Sequence, residues 1–191
     1  MNHNAGTRRA LAGLAVAGTK LVGVLGHRSL SAMSFTAVRR ALGTAHGAVP
    51  PAVTVFDEIP AVANLQPELL RALRHAASDA AAEGIRFVVN SGWRSPQYQR
   101  QLRREAVLKY GSETEAARWV ATPETSAHVA GEAIDIGPIG SAAWLAVHGV
   151  RYGLCQIYRN EPWHFELRPE AVTHGRPPMY ADPSQDPRMW R

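Results

Sequence analysis

The stretch that decides the fold is SAHVAGEAIDI, residues 126–136. Its first half is polar and small, which is typical of a loop, and residues 132–136 are apolar enough for a buried strand. Asp135 lies inside that strand between two isoleucines. Because a carboxylate among apolar residues is costly to bury without a cation or hydrogen bonds, this strand is expected to carry a functional group.

Upstream of this stretch the sequence predicts helices and one strand. Residues 48–60 are rich in proline and valine and are expected to form a linker that leads into an extended segment. Residues 85–90 favour a strand, residues 95–111 a helix, and residues 112–120 a short helix that opens with a capping box. Residues 67–84 suit a helix with a proline in its first turn, and its core-facing residues repeat at helical spacing: Leu69, Leu70, Leu73, Ala76, Ala77 and Ala80.

Downstream of the stretch the pattern predicts one helix and two short strands. The helix spans residues 141–148 and is expected to end at Gly149. The strands are expected at residues 154–158 and 163–167, and residues 173–191 are expected to lie extended over the surface. Helices combined with a few clustered strands indicate an α+β fold.

The charge distribution separates a leader from the rest of the chain. Residues 1–50 hold six of the 21 basic residues and none of the 16 acidic ones, so residues 51–191 carry 15 basic against 16 acidic residues. A nearly neutral domain lacks the basic surface that phosphate binding needs, so nucleic acid is not expected as a partner. The one cysteine, Cys155, excludes an internal disulfide.

The leader has the parts of an export signal. Arg8 and Arg9 precede apolar residues 10–18, and a second apolar run covers residues 21–26. We therefore expect the chain to be exported to the cell envelope or beyond, or tethered to a membrane. The alternatives are an alanine-rich extension without a targeting role and an organellar transit peptide. The expected organisation is a leader at 1–50, a single compact domain at 51–180 and a polar tail at 181–191.

Three segments concentrate reactive side chains: residues 90–95, residues 126–135 and residues 161–164. Two imidazoles and one carboxylate are a common ligand set for catalytic zinc, with a further position left for water. The sequence offers this set in His128, Asp135 and His164.

Glu161 and Arg94 can complete such a site. Glu161 precedes His164 by three residues and could act as a general base. Arg94, at the start of a predicted helix, could hold a carboxylate or stabilise an oxyanion. Each residue also has a purely structural interpretation. The histidines could be buried and hydrogen-bonded, Asp135 could stabilise a turn, Glu161 could be a solvated loop acid, and Arg94 could form a surface ion pair. Spacing alone leaves both the structural and the metal-binding interpretation open.

In this order the three segments resemble the VanY-like zinc D-alanyl-D-alanine carboxypeptidases, a family that includes D-Ala-D-Ala dipeptidases and phage endopeptidases. The family pattern of Ser-Gly-aromatic-Arg-Ser, Ser-x-His-x-x-Gly-x-Ala-x-Asp and Glu-Pro-Trp-His is complete at residues 91–95, 126–135 and 161–164. The resemblance covers about residues 60–180, and residues 152–160 look like an actinobacterial branch.

The resemblance implies one Zn²⁺ held by His128, Asp135 and His164, with Glu161 as the base that activates zinc-bound water. It implies substrate binding and oxyanion stabilisation by Arg94. It also implies a compact α+β fold with a small central antiparallel sheet, flanked by helices, with the zinc site at the sheet. Further substrate-binding positions match at Gln99 and Ser126.

The expected function is hydrolysis of the terminal D-Ala-D-Ala bond of peptidoglycan stem peptides. Ala127 stands where these carboxypeptidases often have an acid, and the connection to Glu161 is short, so the preferred peptide is open. The alternatives are a zinc peptidoglycan endopeptidase, a D-Ala-D-Ala dipeptidase that acts on the free dipeptide, and a non-catalytic wall-binding module that contains zinc.

Overall fold

A four-stranded antiparallel sheet organises the structure, with its strands in the order β1-β2-β4-β3. The computed structural model describes residues 42–190 of the chain. The strands are β1 (Val88–Ser91), β2 (Ala133–Gly137), β3 (Leu154–Gln156) and β4 (His164–Leu167). The two central strands, β2 and β4, are therefore the best shielded from solvent, and every residue of β2 is buried.

Helices surround the sheet, as the α+β prediction requires. They are α1 (Pro60–Ala63), α2 (Pro67–Ala82), α3 (Pro96–Tyr110), α4 (Glu113–Ala117), α5 (Ile139–His148) and α6 (Ala171–His174). Single 3-10 turns lie at Thr44–His46, Gly149–Tyr152, Pro183–Gln185 and Pro187–Trp190. The prediction of a small antiparallel sheet flanked by helices is confirmed.

The main core lies between α2, α5 and the sheet. The predicted core face of α2 is buried except for Leu70, which is half-buried. Leu73 is fully buried, and full burial of a leucine side chain contributes roughly 1.5–3 kcal/mol. On the other side of the cluster are Phe87, Ile134 and Phe165. This core holds the central strands in the register that builds the site.

Local signals predicted the helix ends better than the strand ends. The Ser95 side chain caps α3 by accepting a hydrogen bond from the Tyr98 amide, and the Ser112 side chain caps α4 in the same way. The α-helix predicted to end at Gly149 does so, with Gly149 as its C-cap, and a 3-10 turn then leads to Gly153. The strand predicted at residues 85–90 begins later, at Val88, and contains an irregularity between Val89 and Ser91.

The segment before α1 is part of the domain. Val55 is fully buried, and the Val53 carbonyl accepts a hydrogen bond from the Val89 amide at 2.8 Å. The His46 carbonyl accepts a hydrogen bond from the Ser95 amide at 3.0 Å, although the prediction assigned residues 1–50 to the leader. The predicted export signal at residues 1–26 lies outside the described residues. Within residues 42–190, no helix is long and apolar enough to cross a membrane.

The prediction of an extended surface tail over residues 173–191 holds for residues 175–181, which lie outside any helix or strand and are exposed or half-buried, and is wrong for residues 182–190. Residues 182–190 contain two 3-10 turns, and Asp186 is fully buried among them. We call residues 182–190 the C-terminal segment. Its proline-rich, polar composition suggested exposure to solvent. Charged residues can nevertheless be buried when they are paired with a partner of opposite charge in the fold.

Candidate active site and metal centre

The pairing of β2 with β4 brings Asp135 and His164 together. The two residues are direct partners in the antiparallel register, so their side chains point to the same face of the sheet. His164 Nδ1 lies 3.2 Å from Asp135 Oδ1. Both residues are buried, as their apolar sequence neighbours predicted.

His128 approaches the same carboxylate from the loop before β2. Its Nδ1 lies 2.8 Å from the Gly92 carbonyl, which can only accept a hydrogen bond. Nδ1 is therefore the protonated nitrogen, and Nε2 is left with its lone pair. Nε2 lies 3.4 Å from Asp135 Oδ1. The loop thus presents the nitrogen that can bind a metal.

The three side chains fit a tetrahedral metal ion. The ligand atoms of His128, Asp135 and His164 all lie within 4.8 Å of one another, and all three residues are buried. Ligands about 2.0–2.1 Å from a tetrahedral zinc are roughly 3.3 Å apart, which matches both imidazole–carboxylate separations. Two imidazole nitrogens and one carboxylate are also a donor set that suits zinc.

Burial and the contacts among His128, Asp135 and His164 shift the pKa values of these three side chains. Burial lowers the pKa of His128. Burial also opposes a charge on Asp135, but His128, His164 and Arg94 outweigh it and hold the pKa of Asp135 well below its usual value. At His164, hydrogen bonds with Asp135 and Glu166 overcome the effect of burial and raise its pKa to about 10. A metal at Nδ1 therefore competes with a proton.

Glu161 lies beside this group on the turn that leads into β4. Its Oε2 is 3.8 Å from His164 Nδ1, and the turn is closed by a hydrogen bond from the His164 amide to the Glu161 carbonyl. Glu161 is 8% exposed. Burial raises the pKa of its carboxyl to about 7, because it disfavours the charged form more than nearby His164 favours it. A carboxyl with this pKa can accept and donate a proton near neutral pH.

Arg94 contacts Asp135 at Oδ2, the carboxylate oxygen that does not face the two histidines. Its guanidinium donates to Asp135 Oδ2 at 3.1 Å, to the Ser91 hydroxyl at 2.8 Å and to Gln99 Oε1 at 3.2 Å. A guanidinium has five N–H donors, so these contacts leave two for a bound molecule. The structure therefore places Arg94 where it holds Asp135 and still faces the cavity.

The other two predicted substrate-binding residues occupy different positions. Gln99 is almost fully buried, accepts from Arg94 and donates to the Ala121 carbonyl at 2.9 Å. Ser126 is buried at the cavity wall, where its hydroxyl lies 3.4 Å from the Val129 amide. Gln99 thus contacts Arg94, while Ser126 lies on the loop that carries His128.

All these residues line one cavity of about 320 Å³. The cavity extends from the metal group to Lys109, Tyr110 and Trp119, at the end of α3 and just beyond α4. Tyr110 and Trp119 stack with ring centres 5.6 Å apart. The motifs did not indicate this distal wall, because its residues have no reactive groups at a recognisable spacing.

Glu166, a residue that the motifs did not indicate, is completely buried beside His164. Its Oε1 lies 3.2 Å from His164 Nε2. Since side chains two apart in a strand share a face, the alternation of a histidine and a glutamate in β4 was an available signal. It implies a carboxylate behind the ligand.

Residues 62–170 match the VanY family, described as D-alanyl-D-alanine carboxypeptidase. The chain belongs to this family. A VanY-family relative from Enterococcus faecalis, named D-alanyl-D-alanine carboxypeptidase, is 32% identical over 45% of this chain. The match spans 41% of that relative, so the chain covers about two fifths of the length of the curated protein.

Two solved VanY structures are also similar. A mutant VanY D,D-pentapeptidase of a VanB-type vancomycin resistance cassette, in complex with Zn(II), shares 27% identity with a TM-score of 0.54. The alignment covers 58% of this chain and 76% of that one. VanYB in complex with D-alanine-D-alanine shares 25% identity with a TM-score of 0.53, over 59% and 78% of the two chains. The family resemblance drawn from the three motifs is confirmed.

Proposed function

We propose that this chain is a zinc D,D-carboxypeptidase that removes the last D-alanine from peptidoglycan stem peptides ending in D-Ala-D-Ala. The observation that carries the proposal is the convergence of His128, Asp135 and His164 with Glu161 at one cavity. The Zn(II) and D-alanine-D-alanine complexes of the VanY relatives support the choice of metal and of substrate.

In this proposal the three clustered residues hold the metal and Glu161 moves the proton. Zinc at His128, Asp135 and His164 would supply Lewis acidity that polarises a carbonyl and lowers the pKa of water to about 7. The Glu161 carboxylate takes a proton from the attacking water and then donates it to the leaving amine of D-alanine. In the metal-free site burial raises the pKa of this carboxyl to about 7, so its charged and protonated forms are both accessible near neutral pH.

Arg94 is assigned to the substrate's oxygen atoms. Its two remaining N–H donors suit a terminal carboxylate or the oxyanion that develops at the scissile carbonyl. Gln99 acts on the substrate through Arg94, as a positioning residue, because its Oε1 accepts one of the guanidinium hydrogens. Ser126 contributes to the cavity wall beside His128.

The shape of the cavity favours a stem peptide over a free dipeptide. Its far wall at Lys109, Tyr110 and Trp119 provides surface for residues that precede the terminal D-alanines. A dipeptide bound at the metal group would leave this wall without a contact. The wall-binding alternative, in turn, gives no reason for a buried carboxyl such as Glu161 beside the metal ligands.

The test is release of D-alanine from a synthetic pentapeptide stem ending in D-Ala-D-Ala, measured by mass spectrometry. The wild type should cleave it, and a chelator should abolish the activity. Glu161→Gln should reduce the rate by about 10²- to 10⁴-fold while zinc content stays at the wild-type level. Activity that survives both treatments would contradict the proposal.

The same assay separates the alternatives. Free D-Ala-D-Ala, a cross-linked muropeptide and the pentapeptide should be compared side by side. Preference for the free dipeptide would indicate a dipeptidase, and new termini within the crosslink would indicate an endopeptidase. Binding to purified wall without hydrolysis of any substrate would indicate a binding module.

Export to the cell envelope belongs to the same proposal, since the stem peptides of assembled wall lie outside the membrane. It is supported by the basic residues and apolar runs of residues 1–26. Fractionation of cells that produce the full chain tests it, with an Arg8→Ala/Arg9→Ala double variant as the control. Equal cytoplasmic retention of both proteins would contradict export.

A further inference from the structure

The C-terminal segment, residues 182–190, has no part in the mechanism above, yet it is held firmly against the domain. Arg118, just after α4, donates to Asp182 Oδ2 at 3.0 Å. Asp182 also caps the 3-10 turn Pro183–Gln185 by accepting a hydrogen bond from the Ser184 amide at 3.0 Å. Two residues of the segment, Pro183 and Met189, line the cavity that contains the metal group.

The segment reaches the metal group through Glu166. Arg188 donates to both oxygens of this carboxylate, to Oε2 at 2.7 Å and to Oε1 at 3.1 Å. Arg168 donates to Oε2 at 2.5 Å. A fully buried carboxylate needs such partners, because an unpaired charge in the protein interior is strongly destabilising. Arg188 is the partner that contacts Oε1, the oxygen beside His164.

Arg188 is held in place by Asp186, which also binds Tyr158, a neighbour of His164. Asp186, fully buried, accepts from Arg188 Nε at 3.0 Å and from the Tyr158 hydroxyl at 2.8 Å. The Tyr158 ring lies 5.2 Å from the His164 ring. His164, Glu166, Arg188, Asp186 and Tyr158 therefore form a closed circuit of contacts around one imidazole.

The direction of the His164–Glu166 hydrogen bond decides which nitrogen can bind a metal. Glu166 Oε1 faces Nε2, and Arg188 already donates to that carboxylate, so the carboxylate is an acceptor and Nε2 is the donor. Nδ1, which lies 3.2 Å from Asp135 Oδ1, is then the nitrogen that can give up its proton and offer its lone pair to a metal. A carboxylate behind a ligating histidine orients the ring and makes it a better ligand.

We propose that Arg188 is a positioning residue for the metal centre: through Glu166 it fixes the orientation and tautomer of His164. The C-terminal segment is then a functional part of the active site. This inference rests on the proposed function to the extent that His164 is taken as a zinc ligand. It goes further in assigning a role to a segment outside residues 62–170, the range matched by the family.

The experiment measures zinc affinity of the full chain by competition with a chromogenic chelator. Arg188→Ala and Glu166→Gln should each weaken zinc binding by about 10- to 100-fold. The visible absorption spectrum of the Co(II)-loaded protein should change in both variants, because the orientation of a ligand changes. Arg188→Lys keeps the charge but loses the two-oxygen contact, so it should fall between Arg188→Ala and the wild type.

Arg118→Ala is the matched control. It removes an arginine that anchors the same segment, at Asp182, without touching Glu166. It should lower the thermal midpoint while zinc affinity stays within about twofold and the Co(II) spectrum is unchanged. If Arg188→Ala fails to fold, Glu166→Gln and Arg188→Lys carry the test.

Wild-type zinc affinity and an unchanged Co(II) spectrum in Arg188→Ala and Glu166→Gln would overturn this inference, even if the wild type cleaves the pentapeptide. Equal loss of affinity in Arg118→Ala would also overturn it, because it would reveal a general effect of stability. A wild type that binds zinc but cleaves no stem peptide would contradict only the proposed function. A wild type that binds no zinc would contradict both.

Discussion

His128, on a loop, and His164, on a strand, contact the same oxygen of Asp135, but each does so through a different ring nitrogen. His128 uses Nε2 and is held from behind by the Gly92 carbonyl, a main-chain group. His164 uses Nδ1 and is held from behind by the Glu166 side chain. The first support depends on close packing of backbone, and the second depends on charges supplied by Arg188. The two halves of the site should therefore respond to different perturbations.

The largest expected effect comes from removing either imidazole. His128→Ala and His164→Ala should each reduce bound zinc from about one ion per chain to a small fraction, because two ligands do not hold zinc against competition from water. Metal content of the purified proteins by atomic spectrometry measures this loss. Leu108→Ala, a change at an exposed residue of α3, is a control that should retain zinc. A histidine variant that retained full zinc would remove that residue from the ligand set.

A smaller effect is expected from the backbone that supports His128. A Cβ added at Gly92 would lie 2.0 Å from the Ala61 carbonyl oxygen, so the chain must shift and move the Gly92 carbonyl away from Nδ1. Gly92→Ala should lower the free energy of unfolding by about 1–3 kcal/mol and weaken zinc binding. Urea denaturation and chelator competition measure the two effects.

Gly140→Ala is the matched control for that substitution. Nothing lies within 4 Å of a Cβ added at Gly140, which is in α5, so stability and zinc affinity should be maintained. Equal behaviour of the two alanine variants would show that close packing at Gly92 does not support His128.

The smallest effect is expected at the anchor of the C-terminal segment, on the His164 side. Burial opposes the charge of Asp182, but hydrogen bonds from Ser184 and Arg118 hold its pKa below the ordinary 3.8. Because the folded pKa is the lower one, Asp182 stabilises the fold above about pH 4 and loses this contribution as the pH falls through its folded pKa. Asp182→Asn keeps an oxygen that can cap the turn but removes the charge that pairs with Arg118, so it should cost about 0.2–1 kcal/mol at neutral pH.

Urea midpoints of Asp182→Asn and the wild type, compared between about pH 7 and pH 3, measure this difference. The two midpoints should converge as the solution becomes acidic. A gap that stays constant or widens towards low pH would contradict the assigned pKa direction.

Sequence reasoning was most accurate where the signal was local. The proline at the first turn of α2, the serine caps of α3 and α4, and the apolar residues of β2 are all signals that depend on only a few neighbouring residues. The clustering of His128 and Asp135 was also accessible, because both lie within one short motif. Its third member, His164, was also proposed from residue chemistry, although spacing alone left a purely structural role open until the family resemblance favoured a metal site.

Sequence reasoning failed where distant segments meet. Polar composition suggested an exposed tail, but Arg188 pairs with Asp186 and with Glu166, two fully buried carboxylates. Proline and valine before α1 suggested a linker, but Val55 completes the core. Local propensity carries no information on such partners, since they are brought together only by the register and packing of the sheet.

The amino-acid sequence by itself determined the helices, the approximate strands, the α+β class and the chemical identity of the candidate ligands. Tertiary structure alone decided that His128 presents Nε2 to the metal site and that His164 presents Nδ1. It also decided that the C-terminal segment supports His164 through Glu166. The physical reason is that hydrogen-bond direction depends on which acceptor lies within about 3 Å of each nitrogen. For these two histidines, the Gly92 carbonyl directly follows β1, and the Glu166 carboxylate belongs to β4, the strand that carries His164 itself.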